Sequence, residues 1–257
     1  MFRMPSLVLD WISEKVLHLG RITLLFVDAV RWGMLPPYRI MNILKQMDFV
    51  GTKSLSIIIV TGAFTGMVLA LHGYLTFRHF NAESLVGATV AVGMAREMGP
   101  VIAAIMVVGR VGSAMAAEIG TMRITEQIDA LTSMSINPVQ YLVVPRIIAG
   151  TTMMPILASV FSLAGFVASY FISVFVLNIS GGDFIYHVND LLEMKDYTNG
   201  LVKSVFFGFF LTLIGCYYGY YATGGAEGIG KATTRAVVVA SVTVIVSDYI
   251  LSAIMFK

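Results

Sequence analysis

Arg96, Glu97, Arg110, Glu118 and Asp248 stand in or beside long apolar runs of this 257-residue chain, and their position there demands a physical reason. A charge near the centre of a bilayer costs about 2.5–3.5 kcal/mol on insertion scales, so a charged side chain in a spanning helix faces other protein or a wet cavity. Arg96 and Arg110 are fourteen positions apart, which on a regular helix puts them about 40° apart around the axis, with Glu97 about 100° round from Arg96. Two readings follow. Arg96 or Arg110 pairs with Glu97 or Asp248 and glues helices together, or the groups form a polar patch in a cavity that takes water or a head group. Both stay open for Arg110 and Asp248. For Arg96 and Glu97 the cavity is favoured, because Gly99 and Pro100 directly after them loosen a helix and irregular backbone is tolerated where it lines a cavity.

Other chemistries lack their residues. Gly225, Gly230 and Lys231 match the start of a phosphate-binding loop, but Ala232 stands where the magnesium-holding hydroxyl belongs and an apolar run rather than a strand precedes them. The glycines are expected to make a tight turn. His18, His72, His79 and His187 are scattered without ligand spacing, so no metal site is expected. Cys216 is the only cysteine, which excludes an intrachain disulfide. No nucleophile elbow or zinc-protease motif occurs. The chain is expected not to be an enzyme and to bind no cofactor of its own.

The elements that must position the charges are helices. The sequence is 57% hydrophobic and 12% charged, against about 25% charged in ordinary soluble domains. Lys53, Arg146 and Lys203 are followed by 24, 36 and 23 residues without Lys, Arg, Asp or Glu, each longer than the roughly 20 needed to cross the hydrocarbon. The reading is an all-α polytopic membrane protein with spans at about 54–77, 85–115, 142–177, 201–222 and 236–256, forming one transmembrane domain over 51–257. Residues 1–50 read as amphipathic helices lying along the membrane, with Leu7, Val8, Trp11, Ile12 and Val16 on one face. Charges interrupt this segment too often for a signal peptide. Gly62 and Gly66 in the first span form a pair at the spacing that lets helix backbones approach. With the N-terminus cytoplasmic and the C-terminus periplasmic, eleven Lys and Arg fall inside and four outside, Lys203 among the latter. The polar connector 178–199 is then external. The block Glu118–Leu131 is cytoplasmic: Ile124, Ile128 and Leu131 line one helix face, Arg123, Glu126 and Gln127 another, as in a helix that docks into a partner's groove.

Ala95-Arg96-Glu97-Met98-Gly99-Pro100, Gly109-Arg110-Val111-Gly112-Ser113-Ala114, Ala117-Glu118-Ile119-Gly120-Thr121-Met122-Arg123 and Thr125-Glu126-Gln127-Ile128-Asp129-Ala130-Leu131 follow one another in this chain. In order and spacing they resemble the signature of the MlaE (YrbE-like) permeases, and Asn137-Pro138, Pro145-Arg146, Gly228-Ile229, Ala232-Thr233-Thr234-Arg235 and Asp248 continue the likeness from about Gly51 onward. The resemblance implies the inner-membrane permease subunit of an ATP-binding cassette transporter that moves glycerophospholipids between the two membranes of Gram-negative bacteria. It implies a homodimer working with separate ATPase subunits that hold ATP and magnesium, a small STAS-domain protein and a periplasmic hexamer of MCE-domain proteins, and no nucleic acid. Glu118, Arg123, Glu126, Gln127 and Asp129 would then belong to the coupling helix on the ATPase. Leu69, Leu75, Phe77, Phe80, Arg96 and Glu97 would line a lipid cavity between the two copies' first and last spans. The rival reading is a secondary transporter with Glu97 and Asp248 as a proton relay, although no inverted repeat is visible.

Overall fold

The structure, a computed structural model, describes residues 4–36 and 39–255, with side chains from Val16 onward apart from Leu19. The apolar face proposed for Leu7, Val8, Trp11 and Ile12 lies outside the side chains described. Helix accounts for about 90% of the chain, and no strand occurs among the described residues. Five helical stretches are long and apolar enough to cross a membrane, so the chain is an all-α polytopic membrane protein.

Two helices precede the first full span: α1 (Met4–Gly33) and α2 (Ile40–Val50). Leu25 and Ala29, one turn apart on α1, are buried, while Leu17, Leu24 and Val27 are exposed. A 3-10 turn (Thr52–Ser54) joins α2 to α3 (Leu55–Phe77), the first span.

The second span is broken into α4 (Val86–Gly93), α5 (Gly99–Val107) and α6 (Ser113–Ile124) by two π-helical turns, Met94–Met98 and Val108–Gly112. Each π-turn carries one of the anomalous arginines. At Thr125–Glu126 the chain turns, with Glu126 in the left-handed region (φ 59°), before the short α7 (Gln127–Ser133). A third π-turn (Val139–Val143) opens α8 (Val144–Phe175).

Four boundaries differ from the sequence expectation, the first being the second span, expected to end near 115, which continues as α6 to Ile124. The connector 178–199 contains a helix, α9 (Gly181–Leu191), capped by the Ser180 side chain and seated by Phe184 and Val188 against α4 and α8. The fourth span, α10 (Met194–Tyr220), starts seven residues before Leu201 on a reciprocal capping box between Glu193 and Asp196, a pairing that satisfies two of the helix's orphan N–H groups. The fifth, α11 (Gly225–Met255), starts eleven residues before Ala236. Only Gly224 and Gly225 carry the positive φ of a turn, and the rest of the glycine-rich stretch is already helix.

α10 is the core of the bundle, packed by α8, α11 and α6, whereas α11 keeps most of its apolar surface outside the chain. The close pairing of α3 with α8 depends on glycine. A Cβ on Gly66 would stand 2.0 Å from the Gly165 carbonyl oxygen, and one on Gly62 2.7 Å from that of Phe161. The small-residue pair thus meets α8 of the same chain. One end of the bundle gathers α7, part of α1, the end of α10 and the start of α8 around Ile119, Ile128 and Tyr217. α9 and the first turns of α10 lie at the other.

Gly66→Leu is expected to force α3 from α8, overpacking of the kind that costs about 1–3 kcal/mol or more, and to lower the midpoint of thermal unfolding followed by size-exclusion in detergent. Gly93→Ala, where an added Cβ meets nothing within 4 Å, is the control and leaves the midpoint unchanged or higher.

Candidate functional site

Proline chemistry starts the site. Pro100 has no N–H, so in a helix the carbonyl four residues back, that of Arg96, has no intrahelical partner. The backbone opens here into the π-turn, closed by Gly99 N–H on the Met94 carbonyl. Ser162 of α8 donates to the same Met94 carbonyl at 3.1 Å. Glycine at 99 makes room, since a Cβ there would sit 2.0 Å from Ser162 Oγ. On the other side Gly200 brings α10 against the turn, where a Cβ would stand 2.1 Å from the Ala95 carbonyl.

That approach delivers Lys203, one turn further along α10, to the freed carbonyl. Lys203 is fully buried. Its Nζ donates to Glu97 Oε2 at 2.6 Å, to Ser252 Oγ at 2.7 Å and to the Arg96 carbonyl at 3.3 Å. An ammonium has three donors, so these bonds occupy it. Asp248 Oδ1, 3.2 Å from Nζ, is a buried oxygen with no hydrogen bond of its own and is held by charge. Ser252 donates back to the Asp248 carbonyl at 2.8 Å, fixing α11 in the cluster. Beside it Arg96 Nε donates to Asp196 Oδ1 at 2.6 Å. Asp196, 2% exposed, also caps α10. Two carboxylates face one ammonium, while Arg96 and Asp196 balance each other. The Glu97 and Asp248 side chains retain 38% and 22% exposure, so the cluster is closed on the Lys203 side and open on the carboxylate side. Lys203 is nine residues into α10, about 13 Å along the axis.

This corrects two expectations. Lys203, counted among the outside charges at the start of the expected fourth span, is the centre of the buried network. Asp196, assigned to the connector, pairs with Arg96 and is the fifth charged member of the cluster. The capping-box spacing Glu193 to Asp196 was the available signal, since it places both residues on a helix two turns before Lys203. Arg110 also behaves differently from either reading. It pairs with neither Glu97 nor Asp248; Nη1 donates to Ser54 Oγ at 2.7 Å and to the Phe49 carbonyl at 3.3 Å, with the guanidinium over the Phe49 ring. Arg110 therefore clamps the junction between α2 and α3.

In the Glu118–Leu131 block, Glu118 reaches Arg146 Nη2 at 2.8 Å and Arg123 bonds Asp129 at 2.7 Å. Ile128 is buried, and Glu126 and Gln127 are exposed. The expected single helix is two short ones with a turn between. Of the aliphatic and aromatic candidates, Leu69 and Phe77 are partly buried against the core of this chain, and Leu75 and Phe80 are exposed at 52% and 75%. They are not gathered with Glu97 within one chain: Glu97 bonds to α10 and α11. An open groove of about 570 Å³ between α3 and α8 is apolar and lined by none of the charged residues. Among the described residues no His, Cys, Asp and Glu cluster could hold a metal.

Residues 43–254 match the family described as permease MlaE, a range that takes in the buried network, all three π-turns and the Glu118–Leu131 block. The chain belongs to the MlaE permease family. Similar proteins include a probable ABC transporter permease protein of Rickettsia conorii, 41% identical over 93% of this chain and 92% of that one. A probable ABC transporter permease protein of a Synechocystis strain is 40% identical over 84% and 82%. The intermembrane phospholipid transport system permease protein MlaE of Haemophilus influenzae is 40% identical over 83% of this chain and 82% of its own.

For this MlaE permease, removing the ammonium leaves two carboxylates facing each other in the interior. Lys203→Leu is expected to cost about 3–5 kcal/mol, the usual result of stripping one partner from a buried ion pair, and to reduce the folded, monodisperse yield. Glu97→Gln and Asp248→Asn added to Lys203→Leu restore most of that yield; a triple variant no better than the single one contradicts the charge accounting.

Proposed function

We propose that the chain is the membrane subunit of an ABC transporter that carries glycerophospholipid between the inner and outer membranes of Gram-negative bacteria. Family membership and the relatives named as ABC permeases support the transporter class. The name of the Haemophilus relative points to phospholipid. The observation that carries the reading is the charged network in α4–α5, α10 and α11, sealed behind Lys203 and open at Glu97 and Asp248.

Two copies supply the walls. α11 presents Val238, Val242, Ile245, Val246, Tyr249 and Ile250 outward, at the spacing of one helix face. α3 presents Ile57, Val60, Phe64, Val68, Leu71 and Leu75 likewise. Facing spans of a second copy across these surfaces enclose acyl chains, with Leu69, Leu75, Phe77 and Phe80 at the wall and Arg96 and Glu97 at the head group. Energy comes from cytoplasmic ATPase subunits that hold ATP and magnesium. They dock on Glu126 and Gln127 and the surface around Arg123 and Asp129, beside the Glu118–Arg146 pair. A STAS-domain protein and a periplasmic MCE-domain hexamer complete the complex in the inner membrane, with the N-terminus cytoplasmic and the C-terminus periplasmic. The proton-relay alternative is less supported, because the relatives are named as ABC transporter permeases and no inverted repeat is visible in the sequence.

Mass spectrometry of the purified complex is expected to find bound glycerophospholipid. Glu97→Gln loses one charge-assisted interaction of about 1.5 kcal/mol, so lipid transfer between vesicles falls about tenfold with the complex still assembled. Unchanged transfer removes Glu97 from the lipid path. Glu126→Lys with Gln127→Glu is expected to reduce co-purification of the ATPase subunit, and full recovery excludes that docking surface.

A further inference from the structure

A second polar site lies at the other end of the bundle from Lys203. A pocket of about 240 Å³ is walled by Asn42, Lys45 and Gln46 of α2, Glu118 and Met122 of α6, and Tyr141 and Arg146 beside the third π-turn. Two buried polar atoms in its wall have no hydrogen-bond partner: Arg146 Nε and Gln46 Oε1. Arg146 is 3% exposed. Its other nitrogens each have a partner, Nη1 the Leu142 carbonyl at 2.7 Å and Nη2 Glu118, so Nε is the nitrogen left without one. A buried polar group without a partner costs about 1–3 kcal/mol, and here a donor and an acceptor are orphaned in the same cavity. At about 30 Å³ per water the space exceeds one bridging water several times over.

The charge and surroundings select the occupant. Lys45 and Arg146 outweigh Glu118, and Arg39 stacks on Tyr141 at the rim, 4.5 Å from the ring centroid. The site therefore favours an anion. Next to it, Ile40, Met41 and Leu44 of α2 are exposed by half or more. At 100° per residue they form one face of α2; Asn42, Lys45 and Gln46 form the next, with Lys45 on the border. A polar, cationic pocket flanked by a bare apolar strip on an interfacial helix matches an amphiphile. We infer that this pocket binds the head group of a phospholipid, its phosphodiester accepting from Arg146 Nε and facing Lys45, and an N–H or O–H of the head group donating to Gln46 Oε1. An ethanolamine or glycerol head group supplies that donor; a choline head group has none. This site is distinct from the cavity of the proposed transport path and does not depend on it.

The test uses the full-length protein, delipidated in detergent and titrated with phosphatidylethanolamine, phosphatidylcholine or inorganic phosphate, with bound species counted by native mass spectrometry. It is run in the wild type and in Glu97→Gln, so that a lipid held at the Lys203 end is scored separately. One phosphatidylethanolamine per chain is expected to bind at least tenfold more tightly than phosphatidylcholine in both backgrounds. Gln46→Leu abolishes that preference, and Lys45→Glu weakens both lipids about tenfold. Both residues lie on α2 with a side to solvent or lipid, and an unchanged unfolding midpoint without lipid confirms that the fold is intact. Equal binding of the two lipids by the wild type, or unchanged binding by both variants, overturns the proposal. So does saturation by inorganic phosphate alone, or loss of the ATPase subunit from Gln46→Leu with lipid binding intact, which assigns the pocket to a partner protein.

Discussion

The buried ammonium of Lys203 is the interaction on which the bundle depends. It sits at 0% exposure in a helix that packs on three others, and it contacts α4–α5 through Arg96 and Glu97 and α11 through Ser252 and Asp248. Desolvating a charge costs several kcal/mol even after relaxation. The cost is offset only because every donor of the ammonium is used and a second carboxylate lies within 3.2 Å. The arrangement works as a unit: without Pro100 the Arg96 carbonyl would be engaged in its own helix, and without Gly200 α10 could not approach the turn.

The π-turns follow from the same logic. A π-turn has poorer backbone bonding than an α-helix, so it persists where bonds from outside the helix make up the loss. At Met94–Met98 these come from Ser162 and Lys203. At Val108–Gly112 Arg110 is turned onto Ser54 and Phe49, which ties α2 to the start of α3. Both irregularities therefore aim an arginine, and each links the second span to a different neighbour. A regular helix would have set Arg96 and Arg110 about 40° apart. Two wider turns displace them, which is why a calculation on an ideal helix did not foresee that they serve separate junctions.

Much of the fold was legible from residue type. Uninterrupted uncharged runs of 24, 36 and 23 residues located the first, third and fourth spans, because such a run is long enough to cross the hydrocarbon as a helix, and the second and fifth were read through the charges they carry. The charged anomaly at Arg96–Glu97 was legible for the same energetic reason. Helix ends were less so. Asp196 was assigned to the connector and Lys203 counted with the outside charges at the start of its span, whereas the capping box at Glu193 starts α10 early enough to take in Asp196 and carries Lys203 more than two turns into the helix. The start of α11 was misplaced likewise, since Gly225–Gly230 reads as turn until packing holds it in a helix. Pairing across the chain was not legible at all. Glu118 with Arg146, and Lys203 with Asp248, are separated by 28 and 45 positions, and nothing local specifies them.

The two ends of the second span then differ in a way that bears on how force could pass through it. At the Lys203 end the side chains are locked by mutual charge, and Arg96, Glu97 and Asp248 keep partial exposure while Lys203 and Asp196 are buried. At the other end Glu118, half exposed, holds the buried Arg146 of α8, so a displacement of α6 is transmitted to the base of α8 through an ion pair whose loss would leave a buried guanidinium unbalanced. α8 in turn meets the first π-turn through Ser162. A push on the α6–α7 turn therefore reaches Arg96–Glu97 by two routes, along the second span through its π-turns and across α8. Neither route is a regular helix throughout: α8 carries Pro155, which lacks an N–H, between Arg146 and Ser162, and the direct path contains two turns of weaker backbone bonding.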